Sequence, residues 1–170
     1  MNAKNPGILY LIPTPLGPLG NGIPLADLVL RIIQTLDGVI AESKKSTGPF
    51  LRKIMVPQRD ISVRLLNEHT RRSELDELIA PILKGERWGL MSDAGCPAVA
   101  DPGAVLVRLA HENGIRVSPQ PGPSSILMAL MASGLNGQRF SFHGYLSKDA
   151  RDRRRQIRDM ETDSLKLAQT

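Results

Sequence analysis

Short apolar runs alternate along the chain with longer segments in which apolar residues recur every three or four positions. Each run is bounded by turn residues and is rich in apolar or β-branched side chains, which is the pattern of a buried strand. The predicted strands lie at 8–12, 39–41, 62–66, 88–91, 116–118 and 140–142. The predicted helices lie at 25–36, 48–55, 72–83, 103–113 and 124–133. Because strands and helices alternate, the sequence predicts an α/β fold, an open parallel-type sheet flanked by helices.

Local signals mark both ends of the helix predicted at 103–113. Asp101 is the expected N-cap, since its side chain can accept a hydrogen bond from a free backbone N–H group. Pro102 would follow at the first helical position, where a missing N–H group has no consequence. Gly114 comes after the last periodic residue and is expected to end the helix in the left-handed conformation.

The pattern changes near the end of the chain. Residues 1–146 are predicted to form one N-terminal domain, while 148–160 are predicted to be a charged helix that no strand follows. We therefore expect 147–170 to be a linker helix and the start of a C-terminal domain that this sequence does not contain.

Composition limits the class of protein. Of the 170 residues 41% are hydrophobic, which is enough for one buried core and does not suit a disordered chain. No apolar run is long enough to span a bilayer, and residues 1–7 lack the apolar segment of a signal peptide. Cys96 is the single cysteine, which excludes an internal disulfide framework and a cysteine-rich metal site. The sequence predicts a soluble, cytoplasmic protein with no metal site and no membrane contact.

The net charge of +5 leaves two interpretations open. Lys and Arg number 22 against 17 Asp and Glu, and part of the excess lies in 148–158. Because Asp149, Asp152 and Asp159 are interleaved with those cations, one interpretation is a solvated helix face. The other is a surface for a polyanion. With three Phe, two Tyr and one Trp, a platform of stacked aromatic side chains for single-stranded nucleic acid is not expected.

Three loops that follow predicted strands have unusual sequences. They are Pro-Thr-Pro-Leu-Gly at 13–17, Ser-Asp-Ala-Gly-Cys-Pro at 92–97 and Pro-Gly-Pro-Ser-Ser at 121–125. In an open parallel sheet such loops lie on one rim, which is where ligands bind. The glycines around the first loop do not have the spacing of a dinucleotide-binding fingerprint, and no Walker A motif is present.

The second and third loops offer polar groups to a ligand. Asp93 follows a buried strand directly and precedes small residues that let a ligand approach the backbone, so it would suit a cationic or hydroxyl-bearing ligand. Ser124 and Ser125 open a helix, where hydroxyl and N–H groups can bind a carboxylate. Capping of a turn by Asp93 and of the helix by the serines are the alternatives.

Taken in order, these motifs resemble the tetrapyrrole methylase superfamily. The resemblance is greatest to the ribosomal RNA small subunit methyltransferase I family, in which Ser-Asp-Ala-Gly-x-Pro leads to Asp-Pro-Gly and then to Pro-Gly-Pro-Ser. Here those segments are 92–97, 101–103 and 121–124. The family usually has Ala-Glu-Asp-Thr-Arg after its second strand, whereas this chain has Ala-Glu-Ser-Lys-Lys at 41–45 and departs from the pattern there.

The resemblance implies an S-adenosylmethionine-dependent methyltransferase that works as a homodimer, with the cofactor in a cleft between two domains. By position, this part of the protein would contact the cofactor through Leu16, Asp93, Cys96, Ser125 and Ile126. The missing C-terminal domain would hold most of the adenine. The implied substrate is RNA, methylated on a ribose 2′-oxygen during ribosomal RNA processing. Because the methyl donor is already activated, positioning of the acceptor provides much of the catalysis and no metal is required.

Two other functions stay open. One is a methyltransferase that acts on a tetrapyrrole or another small molecule, and the other is a noncatalytic module that binds a cofactor or a partner. A general base is needed only if the acceptor is a hydroxyl group. Glu42, Glu68 and His69 are candidates on the same rim, but polar residues at strand ends are usually surface residues, so none is assigned.

Overall fold

The computed structural model describes residues 7–18, 25–54 and 61–170 of the chain. Within these ranges the strands are β1 (Ile8–Leu11), β2 (Gly38–Ala41), β3 (Ser62–Leu65), β4 (Arg87–Met91) and β5 (Arg116–Pro119). The helices are α1 (Asp27–Ile33), α2 (Lys44–Ile54), α3 (Arg72–Leu83), α4 (Gly103–Glu112), α5 (Ser125–Ser133) and α6 (Ala150–Leu167). These elements belong to two compact units, Met1–Pro123 and Ser124–Thr170.

The first unit is built on a parallel sheet with the strand order β3-β2-β4-β1-β5. Strand β1 pairs with β4 on one side and β5 on the other, so that Leu9 lies opposite both Trp88 and Val117. A helix follows each of the first four strands, which lets the chain cross over and begin the next strand in the same direction. The predicted open parallel sheet flanked by helices is confirmed.

Apolar side chains cover both faces of this sheet. Successive residues of a strand point to opposite faces, so Leu9 belongs to one apolar cluster and Tyr10 to the other. Helices α3 and α4 complete the cluster that contains Leu9, and α1 and α2 complete the cluster that contains Tyr10. Every residue of β2 is buried, which is typical of a strand covered on both sides.

Most predicted elements of the first unit are confirmed, and α3 has its predicted bounds. The largest difference is in α2, which begins at Lys44, four residues before the predicted start, and continues through Pro49. Gly48 and Pro49 disfavour a helix locally. The helix forms there because it places Phe50 and Leu51 in the core, where they are 3% and 5% exposed.

The predicted ends of α4 are nearly correct. Helix α4 begins at Gly103, the predicted start, but Pro102 is its N-cap and not its first helical residue, so Asp101 lies one residue before the N-cap. Its carboxylate nevertheless accepts a hydrogen bond from the N–H group of Gly103 at 2.6 Å. Gly114 has a φ angle of +66°, which confirms the predicted left-handed end.

The second unit contains α5, α6 and an irregular segment at 134–149. The strand predicted at 140–142 is wrong. In this part of the chain the Ser141 N–H group donates to the carbonyl of Thr170 at 2.7 Å, and the Thr170 N–H group donates to that of Arg139 at 2.9 Å. These bonds join 139–141 to the irregular end of the chain and not to another strand. The charged helix predicted at 148–160 is confirmed as α6 and extends to Leu167.

The predicted domain boundary at 146/147 stays a prediction.

None of the helices in the described ranges combines the length and the apolar character that crossing a bilayer requires.

Candidate functional site

The loops that follow β1 and β4 are joined by backbone hydrogen bonds. The N–H group of Thr14 donates to the carbonyl of Gly95 at 2.9 Å, and that of Gly95 donates to the carbonyl of Thr14 at 3.0 Å. The Thr14 hydroxyl also donates to the carbonyl of Ser92 at 3.1 Å and is buried. Strands β1 and β4 are parallel neighbours, so their carboxyl ends lie side by side. The hydrogen bonds between the loops that follow them confirm that these two loops lie on one rim.

Gly95 is required in this pair of loops by its backbone conformation. Its φ angle is +75°, a region that favours glycine. A Cβ atom at this position would also lie 3.1 Å from Cδ2 of Leu16. The glycine therefore lets the side chain of Leu16 approach the backbone of the loop that carries Asp93.

The Asp93 side chain is held from a neighbouring helix. The hydroxyl of Ser46, in the first turn of α2, donates a hydrogen bond to Oδ1 of Asp93. The Ser43 hydroxyl lies 2.9 Å from the Ser46 hydroxyl and accepts the Ser46 N–H group at 3.3 Å. The N–H group of Asp93 donates to the carboxylate of Glu42 at 3.0 Å. Among the described residues, Oδ2 of Asp93 has no hydrogen-bond partner and can accept one from a ligand.

These side chains border a cleft of about 250 Å³. It lies between the loop after β1, helix α2 and the loop after β4. Its lining comprises Thr14, Pro15, Leu16, Gly17, Pro18, Ser46, Pro49, Phe50, Asp93 and Ala94. The cleft thus combines one carboxylate and two hydroxyl groups with an apolar wall.

Two of the predicted site residues therefore line one cleft, Leu16 and Asp93. Cys96, in the same loop as Asp93, is not among the lining residues. Its thiol donates to the carbonyl of Pro123 at 3.4 Å, and burial raises its pKa. Cys96 thus connects the loop after β4 to the loop after β5.

The loop after β5 also contacts the loop after β1. A Cβ atom on Gly122 would lie 2.3 Å from Cβ of Pro13, so a glycine lets the two loops approach this closely. This contact and the Cys96 bond place residues 121–123 of the third loop on the same rim as the first two.

Ser125 and Ile126 lie in the second unit, where they are the first two residues of α5. Ser125 is exposed and Ile126 is half-buried. The hydroxyl of Ser124 accepts a hydrogen bond from the N–H group of Leu127 at 3.4 Å, so Ser124 is the N-cap of the helix. Cofactor contacts of Ser125 and Ile126 stay predictions.

Asp101 supports the loop that connects the rim to α4. Its carboxylate accepts the N–H groups of Ala98 at 2.9 Å and Gly103 at 2.6 Å, and Ala98 has a left-handed φ angle of +65°. Burial raises the pKa of Asp101 from 3.8, and the charge of Glu42 raises it further, while the two backbone hydrogen bonds act in the opposite direction.

The three candidate bases have different surroundings. Glu42 follows β2 and binds the backbone of Asp93, whereas the side chains of Glu68 and His69 are each 84% exposed. His69 Nε2 lies 3.6 Å from Glu68, and neither residue lines the cleft. Within the described residues, no three His, Cys, Asp or Glu side chains form a group that could hold a metal ion.

Sequence reasoning missed the contribution of α2 to the cleft. Ser46, Pro49 and Phe50 line it. The sequence predicts a helix that starts at Gly48, so Ser46 lies outside the predicted helix. The pair of hydroxyl residues at Ser43 and Ser46 has the spacing of a helix N-terminus and is the signal that could have placed the start correctly.

A larger depression, of about 600 Å³, lies along α3 and the edge strand β3. Arg64 crosses it, with its guanidinium 4.8 Å from the centre of the Trp88 ring and a hydrogen bond to the carbonyl of Glu77. Arg64 is thus used in packing at the edge of the sheet, and the depression shares no residue with the rim.

No family model matches the chain. Curated relatives do match it. A ribosomal RNA small subunit methyltransferase I from Synechocystis sp. is 38% identical over 154 residues, which are 91% of this chain and 53% of the relative. The protein of the same name from Escherichia coli O157:H7 is 35% identical over 157 residues, or 92% of this chain and 53% of the relative. The chain thus spans about half the length of these relatives.

Solved structures share the fold. The uroporphyrin-III-C-methyltransferase of Thermus thermophilus superposes with a TM-score of 0.51 at 20% identity, covering 76% of this chain and 54% of that one. A conserved hypothetical protein from Aeropyrum pernix K1 gives a TM-score of 0.53 at 21% identity, covering 81% of this chain and 46% of that one.

The sequence relatives agree with the motifs. Over nine tenths of its own length, the chain is a homologue of the ribosomal RNA small subunit methyltransferase I family, as its motifs predict.

Proposed function

We propose that this chain carries part of the cofactor site of an S-adenosylmethionine-dependent methyltransferase that acts on ribosomal RNA. The names of its curated relatives support this activity. Since the chain spans about half of their length, the activity is proposed for a protein of the relatives' full length. We further propose that the protein is a cytoplasmic homodimer and that the acceptor is a ribose 2′-oxygen, as the family resemblance implies.

The observation that carries the proposal is the way Asp93 is held. Ser46 binds one carboxylate oxygen, Glu42 binds the backbone N–H group, and the second carboxylate oxygen has no partner among the described residues. A carboxylate that is positioned before the ligand arrives loses little conformational freedom on binding. Such a group suits a ligand that carries positive charge or hydroxyl groups.

S-adenosylmethionine fits the chemistry of this lining. Its ammonium and ribose hydroxyl groups can donate charge-assisted hydrogen bonds to a carboxylate. Leu16, Pro49 and Phe50 offer apolar surface beside Asp93. Pockets for small molecules usually measure about 300–1,000 Å³. At about 250 Å³, the cleft would hold part of the cofactor. On the family resemblance, Cys96, Ser125 and Ile126 are proposed as further contacts.

When bound, the cofactor would supply an activated methyl group. The residues of this chain would bind and orient it. Asp93 would fix one end, and Leu16 and Phe50 would keep water from the apolar part of the cleft. Because the Glu42 carboxylate already accepts the N–H group of Asp93, we propose that Glu42 positions Asp93 and is not a general base.

Calorimetric titration with S-adenosylmethionine and S-adenosylhomocysteine tests this proposal. It is run on this chain and on a protein with the full length of the family, as wild type and as Asp93→Ala. We expect Asp93→Ala to raise Kd roughly tenfold to a hundredfold, since a hydrogen bond to a charged group contributes about 1.5–3 kcal/mol. Asp76→Ala is the matched control because Asp76 is an exposed aspartate on α3, outside the cleft.

If Asp93→Ala and Asp76→Ala bind the cofactor with equal affinity, Asp93 is not part of the cofactor site. No binding by the full-length protein would contradict the methyltransferase proposal as a whole. Methyl transfer to ribosomal RNA and to a tetrapyrrole is assayed on the same full-length protein. If the protein binds the cofactor and methylates the tetrapyrrole but not the RNA, its substrate is a small molecule.

A further inference from the structure

The arginines of α6 divide into two groups with different surroundings. The guanidinium of Arg153 donates to the carbonyls of Ser147 and Lys148 at 3.1 and 3.0 Å, so it ties the helix to the segment before it. The other group lines an open groove of about 740 Å³ on the helix surface. Its members are Arg151, Arg154, Arg155 and Arg158. We call these four residues the α6 arginine face.

Helix geometry puts this group on one side. At about 100° per residue, positions i, i+3, i+4 and i+7 fall within an arc of about 100°. From Arg151 to Arg158 the rise is about 10 Å, at about 1.5 Å per residue. All four side chains belong to exposed residues. The face is therefore a short stripe of guanidinium groups open to solvent.

The opposite side of α6 packs within its own unit. Gln156 accepts the N–H group of Ser147 at 2.8 Å, and Arg153 binds the same segment. Met160 and Ser164 are half-buried on that side. These contacts fix the rotation of the helix, and as a result the α6 arginine face points outward.

The positive charge of the face is only partly neutralised. Arg155 forms an ion pair with Asp152 at 2.8 Å, but the two side chains are 68% and 46% exposed, and ion pairs in contact with solvent contribute little. In the part of the chain that the structure describes, Asp159 is the one acidic residue that lines the groove. Arg151, Arg154 and Arg158 form no ion pair with any described residue.

We propose that the α6 arginine face binds the phosphodiester backbone of the RNA substrate, an inference that rests on the proposed function. Guanidinium groups bind phosphate oxygens through two parallel hydrogen bonds, and in the groove four of them face a single carboxylate. Contacts of this kind hold and orient RNA without selecting its sequence. An anionic membrane is a poorer partner, because the other side of α6 carries Asp152, Arg153 and Gln156 where a membrane-bound helix is apolar.

The test compares two triple variants of equal charge. Arg151→Gln/Arg154→Gln/Arg158→Gln removes three members of the face, and glutamine keeps the helix propensity of arginine. The control, Arg72→Gln/Arg108→Gln/Arg116→Gln, removes three exposed arginines of the first unit. Binding of a short fluorescein-labelled RNA hairpin is measured by anisotropy over a KCl series from about 50 to 200 mM. Calorimetry with S-adenosylmethionine is run on the same proteins.

We expect the first variant to bind the hairpin more weakly and to lower the slope of log K against log [KCl] by about 0.7–0.9 for each phosphate that the variant no longer binds. The control should keep the wild-type slope, and cofactor affinity should be the same in all three proteins. Equal slopes for the two variants, or no hairpin binding by wild type, would overturn the inference. The same proteins are also tested for binding to vesicles of anionic phospholipid. A first variant that binds these vesicles more weakly but binds the hairpin as wild type does would also overturn the inference. If the wild-type protein of the relatives' full length does not bind S-adenosylmethionine, that result would instead contradict the proposed function.

Discussion

The hydroxyl of Ser46 donates a hydrogen bond to Oδ1 of Asp93 and so joins the first turn of α2 to the loop after β4. The two residues are 47 positions apart in the chain. Both line the same cleft. A serine in the first turn of α2 thus orients the carboxylate that is proposed to bind the cofactor.

Replacing Ser46 tests this relationship. We expect Ser46→Ala to raise the Kd for S-adenosylhomocysteine about three- to tenfold, because the Asp93 carboxylate loses the bond that orients it. The thermal stability of the protein should not change, since alanine favours the helix. Titration calorimetry and thermal unfolding measure both effects. Ser73→Ala, an exposed position in the first turn of α3, is the control. Equal Kd values for the two variants would show that Asp93 needs no support from α2.

A second prediction concerns the contact between Gly122 and Pro13. We expect Gly122→Ala to lower the free energy of unfolding by about 1–3 kcal/mol, because the new methyl group would lie 2.3 Å from the proline ring and the loops must move apart. Gly17→Ala is the control on the same rim, since no atom of the described residues lies within 4 Å of its Cβ position, and it should change stability by less than about 0.5 kcal/mol. Urea denaturation measures both. Similar values for the two variants would mean that the loops are not packed closely.

A third prediction follows from the raised pKa of Asp101. Burial and the charge of Glu42 raise this pKa above 3.8 in the folded protein. Between the two pKa values the folded state holds a proton that the unfolded state has lost, so stability decreases as the pH rises through this window. We expect the unfolding free energy of wild type, relative to Asp101→Asn, to be largest in acid and to fall as the pH rises.

Urea denaturation of both proteins over a pH series measures this difference. Carboxyl groups that do not interact with Asp101 are common to the two proteins and cancel in the comparison. A difference that grows with pH would show that the backbone hydrogen bonds from Ala98 and Gly103 outweigh burial and lower the pKa.

A fourth prediction concerns the reactivity of Cys96. Burial raises the pKa of its thiol above 9.0, and the thiolate is the reactive form. We expect iodoacetamide to modify Cys96 more slowly than it modifies free cysteine in the same buffer at neutral pH. Mass spectrometry over time measures the rate. In urea the two rates should converge, whereas a folded-state rate equal to that of free cysteine would contradict a protected thiol.

The local pattern of the sequence determined the class of fold and most elements of the first unit. The bounds of α3 and the left-handed end at Gly114 follow from neighbours in the chain, because periodicity and backbone preference act over a few residues. The strand predicted at 140–142 failed because a strand also needs a partner, and these residues bond instead to the irregular end of the chain.

The motifs of the sequence also indicated the rim, since parallel strands bring their carboxyl ends to one edge. They could not show which side chains meet there. Ser46 reaches Asp93 only because α2 begins at Lys44, and that start is fixed by the burial of Phe50 and Leu51. The packing of distant elements decided this contact.

The arginines of α6 show the same division. The sequence placed them in one charged helix, but it did not distinguish Arg153 from Arg154. In the tertiary structure Arg153 binds the carbonyl of Ser147, while Arg154 lies in the open groove. The residue type and the helix are local properties, whereas the partner of each side chain depends on which side of the helix the rest of its unit covers.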